Sequence, residues 1–383
     1  MQRGCGLLFS AMPAFARPSG SEAVPIRVLC MRNSRLILWL GFAVTTCGAL
    51  ASVGAQPGVA ADHNGVFHGL GEPQLTILDT DIGDDIDDAY ALALVLRSPE
   101  LKLLGITTAY GDTDLRAKLV DRFLVSVCAG DVPVIAGAPS SQSNVFTQAA
   151  YAHGTASAVC GTAQNANMQQ RQHWDELSKR HGAADFLLEQ IKAHPGQITL
   201  IAIGPLNNIE AAIKQDPATF AELKRVVMMG GSIVRGYDDA KGKRPPDAEW
   251  NISRDPAGLR ALLASGVPVF MMPLDSTQIH LDTKERELIF AHGSPLTDQL
   301  TLLYHQWKAG TEGHWEAPTL FDPVAVTYAI RPDLCPATAM RIEVDEKGFT
   351  RKVDGQPNAE VCLKSDEKGF LDLLLQRLTG DER

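Results

Sequence analysis

Positive charge is in short supply. Thirty-five Lys and Arg stand against 45 Asp and Glu, a formal net charge of −10 with a sequence pI near 5.5. Without a polybasic surface there is nothing to neutralise a phosphate backbone, so no nucleic-acid partner is expected. Internal repeats, low-complexity blocks and an interdomain linker are also missing, which argues for one large domain rather than two. No CxxC or Cys/His spacing of a zinc site occurs. A single hydrophobic run approaches the ~20 residues that a membrane span needs. What remains is a 383-residue chain, 45% hydrophobic and 21% charged, ample for a packed core and wrong for a disordered or fibrous protein.

The hydrophobic run, residues 36–54 (LILWLGFAVTTCGALASVG), follows Arg32 and Arg35 after a second methionine, Met31. A basic n-region (MRNSR), an apolar h-region and small residues at Val53-Gly54-Ala55 read as a signal peptide, cleaved after Ala55 or, as second choice, after Ala61. An uncleaved anchor is the alternative, disfavoured by the Gly, Ala and Thr in the run. Residues 1–30 are either a transit sequence or an upstream start that is not used. The expected organisation is an extension and signal peptide at 1–55, a linker at 56–73 and a globular domain at 74–383. This domain would be exported, periplasmic or secreted, with no membrane attachment after cleavage. Residues 1–55 carry five arginines and one glutamate, a net +4, so their removal takes the chain from −10 to −14. Cys128, Cys160, Cys335 and Cys362 then remain. They are either buried thiols or disulfide partners, with Cys335–Cys362 the favoured pair because they flank one C-terminal segment.

Continuous apolar runs alternate with amphipathic stretches. Residues 75–78, 103–107, 132–135, 199–203, 226–229 and 269–272 read as buried strands; 88–96, 115–127, 184–191, 209–214 and 256–263 read as helices. This alternation implies an α/β fold, doubly wound, its mostly parallel sheet covered by helices on both faces. Two long polar stretches, 138–175 and 232–250, are expected to be loops near strand ends. Residues 340–344, 348–353 and 370–378 read as a small C-terminal β-hairpin and a closing helix.

In open α/β sheets ligands bind outside the carboxyl ends of the strands. There the first strand ends in DTDIGDDIDD, six aspartates within residues 79–88. Such a density of carboxylates repels itself unless a cation sits among them, and oxygen-only ligands favour Ca²⁺ or Mg²⁺. The bland alternative is a solvated acidic turn with Asp88 capping the next helix. Other strand ends carry ITTAYGD, GPLNN, MGG and PLD, while AEWN (248–251) and FDP (321–323) add further acids and an amide.

Six motifs in order, DTDIGDDIDDAYAL, ITT-x-x-GD, GPLNN, VVMMGG, AEWN and FDPVAVTYAI, resemble the inosine-uridine-preferring nucleoside hydrolase family over about residues 74–380. The resemblance implies hydrolysis of the N-glycosidic bond of a ribonucleoside to free base and ribose, with a tightly held Ca²⁺. Carried over by position, Asp81, Asp88 and Asp322 would bind calcium through carboxylates, and Asn207, where the family often has Thr, through its backbone carbonyl. Asp87, Glu249 and Asn251 would hydrogen-bond ribose hydroxyls, Met229 would line the sugar pocket, and Asp81 would act as general base toward water activated by the metal. The chemistry agrees: glycosidic cleavage passes through an oxocarbenium-like state that carboxylates stabilise, and an acceptor-rich site disfavours anionic phosphates. The expected partner is a ribonucleoside; self-association into a homo-oligomer stays open.

Three departures stand out. Asp84 and Asp85 are two extra residues in the first motif and are expected at the periphery. Asp112 replaces an Asn that contacts ribose in many members, so it either binds a sugar hydroxyl or turns away. Phe321 stands where many members have a His that protonates the leaving base. His314, Tyr237 and His280 are alternative acids, and Trp250, Trp315 or Phe321 could stack on the base. Two other readings fare worse: Gly83 replaces the Thr or Val of an aspartyl phosphatase, and DTDIG lacks the fifth-position ligand of an EF-hand. An exported nucleoside-binding or sensing protein without turnover is the remaining alternative, with Phe321 in its favour.

Overall fold

The computed structural model describes residues 72–141, 146–155, 168–239, 242–311 and 317–380. The readings made for residues 1–71, Cys160, His314 and Trp315 lie outside the described residues.

All six apolar runs become strands: β1 (Gln74–Thr80), β2 (Leu101–Thr108), β3 (Val134–Ala136), β4 (Thr199–Ala202), β5 (Arg225–Met229) and β6 (Val269–Met272). They pair in parallel, in the order β3-β2-β1-β4-β5-β6. Burial on both faces explains the continuous apolar runs. Ile77, Leu200, Val226 and Met271 feed one core, whereas their neighbours Leu78, Ile201, Val227 and Met272 feed the other. Helices Ala183–Ala193, Asn207–Gln215 and Pro256–Ala264 close the first core; α1 (Asp87–Leu96), α2 (Thr113–Ser126) and the helix Asp322–Ile330 pack in the second.

The C-terminal hairpin forms as expected, from β7 (Thr338–Val344) and β8 (Thr350–Val353). A further strand, β9 (Ala359–Val361), pairs parallel to β6 and antiparallel to β7, joining the hairpin to the main sheet. A Cys335–Cys362 disulfide ties this region together, and Cys128 is also disulfide-bonded.

The polar stretch 138–175 contains more than loop: Ala149–Ala152 and the start of Met168–Lys179 are helical. Helices Thr283–His292 and Pro295–Gly310 were not expected: the first buries Arg286 and Ile289 without an apolar stripe, whereas the second carries Leu296, Leu300, Leu303, Tyr304 and Trp307 at helical spacing, a row the sequence reading passed over.

Candidate active site

β1 lies between β2 and β4, where the winding of the sheet reverses, and chain order makes its carboxyl end the mouth of a crevice. The acidic segment leaves β1 there and turns into α1, which begins at Asp87 and Asp88. A helix N-terminus suits carboxylates because its free N–H groups and dipole carry partial positive charge. The crevice opens into a cavity of about 520 Å³, within the range of small-molecule sites.

Its inner end is built from carboxylates. One oxygen from each of Asp87, Asp88 and Asp322 lies within 4.8 Å of the others, all three buried. The Asp322 N–H donates to Asp87 Oδ2 at 3.1 Å, and Thr80 Oγ1 donates to Asp88 Oδ1 at 2.5 Å. Asp81 lines the same cavity, pressed against Gly204, where a side chain would meet Asp81 Oδ1 at 2.9 Å. Glycine at the head of GPLNN is therefore required by close approach. The grouping differs from the expected one: Asp87, drawn in by the Asp322 amide, completes the tight set, while Asp81 stands beside it.

Burial and then mutual repulsion push the carboxyls of Asp87, Asp88 and Asp322 well above the usual carboxylate range. Burial likewise raises Asp81 to about 7, against the pull of the Arg116 guanidinium. Such a set favours protons until a cation replaces them. Asn207 opens the helix that follows β4 and is not among the residues lining the cavity. The oxygens of the carboxylate set fit a hard divalent cation.

Glu249 and Asn251 face the cavity beside Met229. The Glu249 carboxylate accepts backbone N–H bonds from Gly231 (2.9 Å), Asn251 (2.9 Å) and Ile252 (3.1 Å), capping the helix Trp250–Arg254. The Asn251 amide donates to the carbonyls of Ile203 (3.2 Å) and Met229 (3.3 Å), which fixes it across two strand ends.

The outer end is aromatic and mixed. Tyr237 and Phe321 meet edge to face with ring centroids 6.0 Å apart, and Trp250 is 37% exposed beneath the Arg254 guanidinium at 3.9 Å. The Tyr237 hydroxyl accepts from the Trp250 N–H at 2.9 Å; burial and then the nearby Glu249 carboxylate push its pKa well above the ordinary value. His280 lines this end and shares a hydrogen bond of 3.2 Å with Thr319 Oγ1. The loop that carries Tyr237 is held from below: the Asp275 carboxylate accepts from the backbone N–H groups of Ile233 (2.8 Å), Val234 (2.8 Å) and Arg235 (3.1 Å).

Two expectations are corrected. Asp112 turns away: it is exposed, lies outside the cavity lining and caps α2 by accepting from the Leu115 N–H at 3.0 Å. Asp84 and Asp85 are not peripheral, because both line the cavity. Asp84 pairs with Arg116 at 2.8 Å, and burial raises Asp85 to about 6. Trp307, Gln278 and Asp238 also reach the cavity without any signal in the sequence motifs.

A doubly wound sheet with a buried carboxylate cluster at its switch point puts a candidate metal site where folds of this class bind their ligands. The family model for inosine-uridine preferring nucleoside hydrolase matches residues 76–372, and the chain belongs to that family. It is 30% identical over 296 residues to uridine nucleosidase 1 of Arabidopsis thaliana, covering 75% of this chain and 83% of that protein. To the pyrimidine-specific ribonucleoside hydrolase RihA of Salmonella arizonae it is 30% identical over 321 residues, covering 79% and 97%. Among solved structures it resembles the purine-preferring ribonucleoside hydrolase from Gardnerella vaginalis, with a TM-score of 0.63, 25% identity and coverage of 80% and 98%. The chain is accordingly a hydrolase acting on ribonucleosides.

Proposed function

We propose that the chain hydrolyses ribonucleosides after export, with Ca²⁺ held at the inner end of the cavity by Asp81, Asp88 and Asp322 together with the Asn207 carbonyl. The observation that carries this reading is the convergence of three buried carboxylates in a cavity that also holds Asp81, Glu249 and Asn251. Asp87, within the tight group, would serve the ribose as well as the charge balance of the cluster. The chemistry supplied by the cation is Lewis acidity, which eases deprotonation of water and orients sugar hydroxyls.

Asp81 accepts the proton of the attacking water. Glu249, Asn251 and Asp87 hold the ribose, and the surrounding carboxylates favour the positive charge that grows on the sugar ring as the base departs. Met229 packs against the sugar. At the outer end the base meets Trp250, Phe321 and Tyr237. Phe321 has no proton to give, and Tyr237 keeps its own; His280 is the histidine that reaches the cavity among the described residues. The base therefore leaves with help from stacking, with His280 as the available acid. Relatives named for uridine, for pyrimidines and for purines all fall in this family. An aromatic end that stacks on any base face is compatible with each.

A reducing-sugar assay across purine and pyrimidine nucleosides tests the reading. Free ribose should appear with the wild type and vanish with Asp81→Asn. Near-normal turnover in that variant would show the base to be elsewhere. A calcium-loaded chain that binds nucleosides yet releases no ribose over long incubation would make it a binding protein.

A further inference from the structure

Arg116 is 1% exposed, an unusual place for a guanidinium. It lies on α2 and reaches two strand-end segments at once. Nη1 donates to the carbonyls of Asp81 and Ile82, the latter at 2.9 Å; Nε donates to the carbonyl of Tyr110 at 2.8 Å; Nη2 pairs with Asp84 Oδ2 at 2.8 Å. The Phe146 ring covers the guanidinium at 5.4 Å. Tyr110 itself has φ of 61°, a conformation that side-chain-bearing residues seldom adopt. On the far side of the turn, Thr147 Oγ1 donates to the Asp84 carbonyl and Gln148 Nε2 to the Asp85 carbonyl, each at 2.6 Å. The segment that follows β1 is thus held at every step by fixed donors.

We propose that Arg116 is a positioning residue. It presets the segment 81–86, and with it Asp81, in the geometry that cation and ribose need before either arrives. The proposal deepens the calcium-dependent reading and rests on it. It also gives Asp84 a role: the carboxylate on the lengthened turn supplies the fourth acceptor of the guanidinium.

Charge and geometry predict opposite signs. Arg116 is a cation beside a cation site, so on Coulombic grounds its loss should tighten calcium binding. If it acts by holding carbonyls, its loss should weaken binding, because the ligands must then be ordered at the expense of binding free energy. Lysine keeps the charge but cannot reproduce the planar fork.

Calcium titration calorimetry on the full protein separates these. Arg116→Lys and Arg116→Gln should both raise the calcium Kd by about tenfold or more, the effect typical of residues that orient metal ligands. Arg122→Lys serves as the reference for a fork lost elsewhere: Arg122 donates to the Tyr151 carbonyl and lies 4.1 Å over that ring. It should stay within about twofold of wild type. A Kd for Arg116→Gln that is unchanged or tighter would overturn the proposal, as would equal weakening by Arg122→Lys.

Should the Arg116 variants not fold, hydrogen exchange on the metal-free wild type decides. The Ile82 and Ile86 amides donate to Thr80 Oγ1 and Asp85 Oδ1; their protection without calcium supports the proposal, and free exchange until calcium is added overturns it. A wild type that takes up no calcium would sink the metal reading, while the exchange result would still judge Arg116.

Discussion

The two ends of the cavity are built by different means. The inner end consists of strand termini and helix starts, with Asp81 fixed by close packing, Asp88 by the Thr80 hydroxyl, and Glu249, Asn251 and Asp322 by hydrogen bonds that involve the backbone. The outer end is assembled from side chains of loops and helix ends far apart in sequence: Tyr237, Trp250, Gln278, His280, Trp307 and Phe321. The inner end has the carboxylate cluster and the rigid frame that bond cleavage requires, whereas Asp238 at the outer end is paired with Arg235. The outer end offers aromatic faces and exchangeable polar groups, which suits discrimination among bases. Chemistry and specificity are thereby separated in space, and changes at the two ends should have different signatures.

The largest contrast is expected from Asp81→Asn, which should lower kcat by about 10³-fold, within the range for loss of a general base, while circular dichroism stays native. Steady-state rates of ribose release check it; a fall of less than tenfold would move the base to another residue. Next, Asp88→Ala should weaken calcium retention by about 100-fold, read as calcium remaining after dialysis. Retention equal to wild type would remove Asp88 from the metal set.

At the outer end Trp250→Ala should raise KM by about tenfold, the scale of one lost base-stacking contact, and leave calcium affinity unchanged. If kcat and calcium affinity fell together instead, the separation of the two ends would be wrong. The smallest effect concerns pH. In the metal-free protein Asp81 is raised from 3.8 to about 7 by burial, and Asp87, Asp88 and Asp322 are raised as well. The folded state then binds more protons than the unfolded one between about pH 4 and 7, so this contribution to stability is present at low pH and is lost as pH rises through the folded-state values. Metal-free Tm should fall by a few degrees over that window, and saturating calcium should remove the trend, because the cation displaces the protons. A metal-free Tm that rises steadily across the window would contradict the charge state assigned to the cluster.

Much of the inner end was legible in the sequence because it follows the strands. A parallel strand buried on both faces must be apolar throughout, and whatever polar residues follow it are delivered to one rim. That logic delivered Asp81 and Asp88 to the rim; Glu249 and Asn251, which lie well beyond the end of β5, were assigned to the site by the family resemblance. It failed where a side chain's surroundings come from several distant segments. Arg116 reads as one more charged residue on an amphipathic helix; only the fold shows four acceptors converging on it. Asp112 offered a carboxylate at the right strand end, but capping α2 consumes it. Trp307 belongs to a helical row with Leu296, Leu300, Leu303 and Tyr304 that reads as ordinary core, so nothing in the sequence marks it as a cavity residue. Asp84 and Asp85 looked like surplus length, yet the turn they lengthen is the one that Arg116 and Gln148 fasten into the cavity wall.

The most direct test of calcium-dependent cleavage at the inner end is ribose release from nucleosides by the same wild-type sample after chelation and again after calcium is restored. The account predicts release that disappears with chelation, returns with Ca²⁺ and matches the free base produced mole for mole. Release that persists undiminished in the metal-free protein would contradict it.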